Sequence, residues 1–174
     1  MSGIKNLIIC NPYESPPKHW NYNRQKRKFE LILGRRPAGF LIASPDSKVF
    51  DDPGEFRELE LVNKIRSRVD EWKKKDYPNV TGITKQLIKF WKDENKRENR
   101  FFFCQIEAIE TLIWLVESSE SEKQGLKIPT DGGLFQRLCC KMATGSGKTI
   151  VMAMVIAWQV INKITYPQDK RFSK

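Results

Sequence analysis

A chain of 174 residues, 40% hydrophobic and 30% charged, has room for one compact domain with an appendage and excludes two full α/β lobes. Its 31 Lys and Arg against 21 Asp and Glu leave a net charge of +10, a balance that favours polyanionic partners, nucleic acid ahead of membrane. The excess lies early: residues 1–100 carry 22 basic and 14 acidic side chains, and residues 101–174 carry 9 and 7.

Residues 4–10, IKNLIIC, read as a short buried strand, and NPYESPPKHW (11–20) then breaks regular structure with three prolines. FELILGRRPAGFLIAS (29–44) reads as a hairpin, with apolar runs on both sides of Gly34, Pro37 and Gly39. After Pro53-Gly54 the period changes: Phe56, Leu59, Val62, Ile65, Val69 and Trp72 recur at steps of three and four, the apolar face of a helix that ends before Tyr77-Pro78. TGITKQLIKFW (81–91) predicts a second helix, with Thr84 as N-cap and Leu87, Ile88 and Trp91 turned inward. KDENKREN (92–99) is a charged connector and the predicted domain boundary.

From Phe101 to Glu117 a long apolar-rich helix is expected, followed by a polar surface insertion at 118–133. LFQRLCCKMA (134–143) reads as a buried strand and KTIVMAMVIAWQVINKI (148–164) as a largely buried helix. The longest apolar stretch near the end, residues 150–161, is far too short to span a bilayer, and no basic-then-apolar leader opens the chain; a soluble, cytoplasmic protein without a membrane partner is expected. Cys10, Cys104, Cys139 and Cys140 match neither a metal spacing nor a disulfide framework and read as reduced core cysteines.

Between strand and helix stands MATGSGKT (142–149). Holding a triphosphate takes several backbone N–H groups aimed at one place, hence glycines that let the chain bend back: here Gly145 and Gly147, with Thr144 and Ser146 beside them. The following helix turns its N-terminal N–H groups and positive dipole end to the same phosphates. Lys148 is then the ligand of the β- and γ-phosphates, and the Thr149 hydroxyl the Mg²⁺ ligand, so that ATP and Mg²⁺ are the expected cofactors. Met142 replaces the first glycine of the strict G-x-x-x-x-G-K-[ST] pattern. Hydrolysis needs, in addition, an acidic residue on a later strand and an arginine finger, and NKITYPQDKRFSK supplies neither, so no catalytic residue is assigned. DEWK (70–73) and DENK (93–96) precede the loop and are rejected as Mg²⁺ ligands.

Two decoys are set aside. Pro45-Asp46 with Glu71-Trp72-Lys73 imitates a restriction-nuclease pattern, but on a helix residues 71 and 73 diverge by about 200°, where a nuclease needs them on one side of a strand. His19 has no Cys or carboxylate at ligand spacing and reads as structural. RQKRKFE (24–30), Arg35-Arg36 and EWKKKDY (71–77) fit phosphate-backbone contacts and solvated charged faces equally well.

The loop KMATGSGKT, the preceding RFFFCQIEAIETLIWL and the front-end NPYESPPKHW, GRRPAGF and YPNVTGITKQLIKFW together resemble the N-terminal part of the helicase-like (DEAD/DEAH-like, superfamily 2) Res subunits of type III restriction enzymes. The resemblance implies that Gln105 reads adenine, since a primary amide offers a donor and an acceptor to the base edge, with Phe101, Phe102 or Phe103 stacking on it. The 43-residue gap from Gln105 to Lys148 is long for such proteins, and the insertion at 118–133 accounts for it. It further implies an α/β chain: a basic N-terminal α+β front domain at 1–99, then the beginning of a P-loop RecA-like lobe at 100–174, with a truncated parallel sheet. The implied partners are double-stranded DNA and a modification methyltransferase subunit. The implied whole is an ATP-dependent translocase of which these residues are the opening segment, unable to hydrolyse ATP alone; an apolar helix (150–161) without neighbours to cover it points the same way. The rivals are a stand-alone basic DNA-binding module whose loop is a relic, and a small P-loop nucleotide kinase, which would need acidic and arginine residues after the loop.

Overall fold

The computed structural model describes residues 10–43, 54–129, 132–133 and 137–172. The chain divides into two compact units, Met1–Asn63 and Lys64–Lys174.

The first unit holds β1 (Lys18–Asn23), β2 (Lys28–Leu33), β3 (Gly39–Ile42) and β4 (Glu55–Glu58), paired as two separate two-stranded antiparallel sheets, β1 with β2 and β3 with β4. The strand expected at 4–10 lies outside the described residues apart from Cys10, and so do Pro45 and Asp46. The hairpin expected across Gly34 does not form. Gly34 turns the chain at φ +90°, but β2 has already paired with β1, from Lys18↔Leu33 to Asn23↔Lys28. The reason is local: Asn23 Oδ1 accepts from Lys26 N–H at 3.1 Å and Arg27 takes a left-handed φ of 49°, closing a tight turn over what reads in sequence as a mere charged run. The proline-rich stretch thus stays irregular only as far as Pro17.

Helix α1 covers Glu60–Lys74, starting later than the apolar period implies, because Phe56 belongs to β4 and pairs with Leu41. A three-to-four spacing that includes alternate strand residues cannot mark where the strand stops. The inward face holds from Ile65 on: Val69 and Trp72 are buried, whereas Phe56, Leu59 and Val62 are exposed.

In the second unit, α2 (Gly82–Lys92), a 3-10 turn at Glu94–Lys96, α3 (Phe103–Glu117), the one-turn α4 (Glu120–Lys123) and α5 (Lys148–Thr165) follow. The N-cap of α2 is Thr81, not Thr84: Thr81 is extended (φ −66°, ψ 159°) and its Oγ1 accepts from Thr84 N–H at 3.0 Å, while Thr84 is helical and wholly buried. Ile88 and Trp91 face inward with Leu87 packed beside them, as the pattern predicts. Part of the polar insertion winds into α4.

The strand expected at 134–143 is not seen: residues 137–143 carry no strand, and residues 134–136 are not described. Among the described residues all strand pairing is antiparallel, so the truncated parallel sheet is not part of the observed fold, which is mixed α/β with small antiparallel sheets and five α-helices. A strand exists through its ladder, and no described segment offers residues 137–143 a partner. For the same reason Cys139 and Cys140 are exposed rather than core, as is Cys10; all four cysteines are free.

The core of this unit is helix on helix. Trp72 of α1, Ile88 and Trp91 of α2, Ile109, Ile113 and Trp114 of α3, and Met154 and Trp158 of α5 meet in one buried cluster, closed by Phe172. Each buried tryptophan removes roughly 150–250 Å² from water, which makes these rings the largest single terms holding the helices together. No helix of the described residues is long and apolar enough to cross a membrane.

Candidate functional site

Helix α5 begins at Lys148 because Gly147 takes a left-handed conformation (φ 78°, ψ 42°) that a residue with a Cβ adopts only under strain. Gly145 is left-handed as well, at φ 76°, and open space surrounds it. The two glycines fold Thr144–Gly147 into a turn: Ser146 N–H and Oγ both donate to Ala143 O, at 3.4 and 2.6 Å. Ile150 N–H then donates to Gly147 O at 3.0 Å, which opens the helix. The N–H groups of the first turn, unpaired within a helix by its geometry, are thereby gathered beside the turn, with no acidic residue among them.

The Lys148 ammonium donates to Met142 O at 3.2 Å and Ala143 O at 3.1 Å, so it lies over the loop while remaining exposed. Thr144, Gly145, Lys148 and Thr149 are exposed, and Ser146 and Gly147 half-buried. A flexible cation, a hydroxyl and converging backbone donors form an arrangement suited to an oxyanion such as phosphate, with Thr149 available to a divalent cation.

Gln105, from the first turn of α3, comes to the same place. It is 2% exposed. Its Oε1 accepts from Phe102 N–H at 2.9 Å and its Nε2 donates to Ser146 O at 3.0 Å, so one amide ties the start of α3 to the loop. Each bond uses half of the amide's capacity, which leaves one N–H and one lone pair. The close approach constrains the loop in turn, because a Cβ on Gly147 would run into the Gln105 amide. Phe101, Phe102 and Phe103 are half-buried nearby in sequence, and the Arg97 guanidinium lies 3.9 Å from the Phe101 ring centroid. The site residues named from sequence, Gln105 and Thr144–Thr149, are therefore neighbours in space.

Sequence reasoning missed the buried polar cluster under α5. Glu117, at the end of α3, is fully enclosed: Oε1 accepts from Trp158 Nε1–H at 2.7 Å and from the Thr84 hydroxyl at 2.7 Å, and Oε2 accepts from Thr81 N–H at 2.8 Å. Asn162 Nδ2 donates to Thr84 Oγ1 at 3.0 Å, and the Thr81 hydroxyl donates to Asn162 Oδ1 at 2.5 Å. Burial pushes the Glu117 carboxyl above the usual glutamate value, with these hydrogen bonds and Arg171, 3.8 Å away, pulling against it. The cluster fastens α5, and so the loop at its start, to α2 and α3. Its sequence signal is polar residues in phase with a core face: Asn162 falls four residues after Trp158, and Glu117 follows Ile113 at the same step.

A second buried carboxylate, Glu110, is 1% exposed and is held by Lys73 at 3.1 Å, Lys92 at 3.2 Å and the Tyr77 hydroxyl at 2.7 Å. Burial, then the Glu110 charge, pushes the Tyr77 phenol far up, so it stays protonated and donates. Burial pulls the Lys73 ammonium down, but Glu110 and Asp70 together raise it further, so it stays charged. Among the described residues no group of His, Cys, Asp and Glu can hold a metal ion. His19 sits 2.8 Å from Gly34 O through Nδ1, the structural role expected of it. Asp169, the acidic residue that follows the loop, is engaged by Arg171 Nε and Nη2 at 3.0 and 2.7 Å.

Residues 100–167 match the family described as type III restriction enzyme, res subunit. No curated protein and no solved structure matches the chain. The matched stretch runs from the residue before Phe101 through Gln105, the loop and the whole of α5, and it supports a partial Res-like, helicase-like domain there.

Proposed function

We propose that this chain is part of an ATP-dependent DNA translocase subunit of a restriction enzyme, and that it binds ATP with Mg²⁺ through Thr144–Thr149. In this reading Lys148 pairs with the β- and γ-phosphates, Thr149 takes a place on Mg²⁺, and Gln105 reads adenine with the N–H and lone pair left over from its bonds to Ser146 and Phe102. The observation that supports it is the Gln105–Ser146 hydrogen bond, which ties the Gln105 amide to the glycine-rich loop although 41 residues separate them in sequence. The basic front residues contact double-stranded DNA, and a modification methyltransferase is the partner subunit. In this reading the loop supplies phosphate donors and Gln105 a base-reading group, but the first turn of α5 holds no acidic residue and Asp169 is engaged by Arg171, so binding without turnover is expected from these residues alone.

Equilibrium titration with ATP and with GTP tests the assignment. Wild type is expected to prefer ATP, Gln105→Ala to lose the preference while still binding, and Lys148→Ala to bind neither. Equal affinity for both nucleotides in wild type would remove Gln105 from the base site. Turnover that disappears in Lys148→Ala would show that the residues suffice for hydrolysis after all.

A further inference from the structure

The β1–β2 sheet presents two chemistries side by side. Strand alternation and the pairing Trp20↔Leu31 and Tyr22↔Phe29 put Trp20, Tyr22, Phe29 and Leu31 on one face. Tyr22 and Phe29 meet edge to face, with ring centroids 5.2 Å apart and an interplanar angle of 61°. Yet Phe29 is 56% exposed, far more than an aromatic ring that serves only a core. At the end of this face the turn is cationic, with Arg24, Lys26, Arg27 and Lys28 within five residues. From Lys18 to Arg36 there are seven Lys and Arg against one acid, Glu30, and that acid is engaged by Asn23 Nδ2 and Lys26 Nζ, each at 3.0 Å.

One exposed ring, Phe29, beside the half-buried Trp20 and Tyr22 and next to a cationic turn, complements a ligand with flat apolar faces strung on an anionic backbone. In duplex DNA the base faces are covered by their neighbours at about 3.4 Å, so an exposed ring can reach only groove edges or an end. A single strand can splay its bases, and ring–base stacking does not depend on sequence. Rings at positions i and i+2 of a strand stand about 6.6 Å apart, roughly twice the stacked-base spacing, which suits an unstacked strand.

From this we infer that the aromatic face of the β1–β2 hairpin is a stacking platform for single-stranded DNA, with Phe29 as its exposed ring and the Arg24–Lys28 turn as its phosphate contact. The inference deepens the DNA-binding part of the proposed function and rests on it.

Fluorescence anisotropy of the full chain with a labelled single strand of about 20 nucleotides, and with the same strand annealed to its complement, decides it. Wild type is expected to bind the single strand more tightly. Phe29→Ala is expected to weaken that binding by about 5- to 150-fold and leave the duplex affinity unchanged, while Phe29→Tyr keeps both. Because Phe29 is largely exposed, its truncation leaves the fold standing, which far-ultraviolet circular dichroism confirms. Equal affinities that are insensitive to Phe29→Ala would overturn the platform and leave DNA binding intact. A preference for duplex lost only on Arg27→Ala would make the hairpin a groove binder and also overturn it. Binding of neither DNA would defeat the platform together with the DNA-binding reading.

Discussion

Gly147 carries two separate constraints, a left-handed φ of 78° and the Gln105 amide lying where a Cβ would go. Gly147→Ala is therefore expected to destabilise the protein by about 1–3 kcal/mol, and Gln105→Ala in that background to recover the steric part but not the backbone part. A denaturant cycle of wild type, both single variants and the double variant measures this; strictly additive effects would mean that the two residues do not touch. Glu117 is the other residue with a measurable signature. With its folded pKa raised above the unfolded value, the native state keeps a proton over a range in which the unfolded chain has lost it. That contribution to stability is complete below the ordinary glutamate pKa and declines as pH rises through the raised value. Glu117→Gln should flatten this decline in unfolding midpoints measured from about pH 4 to about pH 7, with an overall loss of about 1–3 kcal/mol because an amide N–H would oppose the Thr81 N–H. An unchanged slope would place the titrating group elsewhere.

The extents of helices α3 and α5 were legible, within two residues of the sequence reading, because their apolar residues recur densely between unambiguous ends. But α5, expected to be largely buried, buries only Val151, Met154, Trp158 and Asn162 and leaves Ile150, Met152, Ile156 and Val160 exposed. The loop was legible for a different reason, since Gly-x-Gly-Lys-Thr before a helix specifies backbone geometry directly. Strand pairing was not legible. Partner choice turns on cross-strand contacts and turn closure, and the Asn23–Lys26 turn that settles it hides in a stretch whose charge dominates its appearance. The helix start after β4 was misplaced because Phe56 fits both periods. The polar cluster escaped because an Asn or Glu on a core face declares burial but not its partners, which come from α2, distant in sequence. Trp158→Phe keeps an aromatic ring at this buried position but removes the indole N–H shared with Glu117 at 2.7 Å and Thr84 at 3.1 Å, together with the volume of the five-membered ring. A loss of about 1–3 kcal/mol is expected on denaturant unfolding, since a buried carboxylate oxygen forfeits a donor. A neutral substitution would show that the cluster does not hold α5 in place.

For the chain as a whole, the net charge of +10 and its concentration in residues 1–100 would make the proposed DNA affinity an electrostatic quantity. Raising salt from about 50 to about 200 mM is expected to weaken duplex binding by tenfold or more, and an isotherm that ignores salt would exclude phosphate contacts as its source. The family match covers residues 100–167, and the Gln105–Ser146 contact beside Lys148 and Thr149 lies inside it. Whether that stretch binds nucleotide is the claim on which the rest depends, and thermal unfolding with and without Mg²⁺-ATP, in wild type and in Lys148→Ala, tests it most directly. At about 100 times the dissociation constant, ATP adds about 2.7 kcal/mol of stability, which raises the midpoint of wild type by several degrees and leaves Lys148→Ala where it was. No shift in wild type, or the same shift in both proteins, would contradict a nucleotide site at this loop.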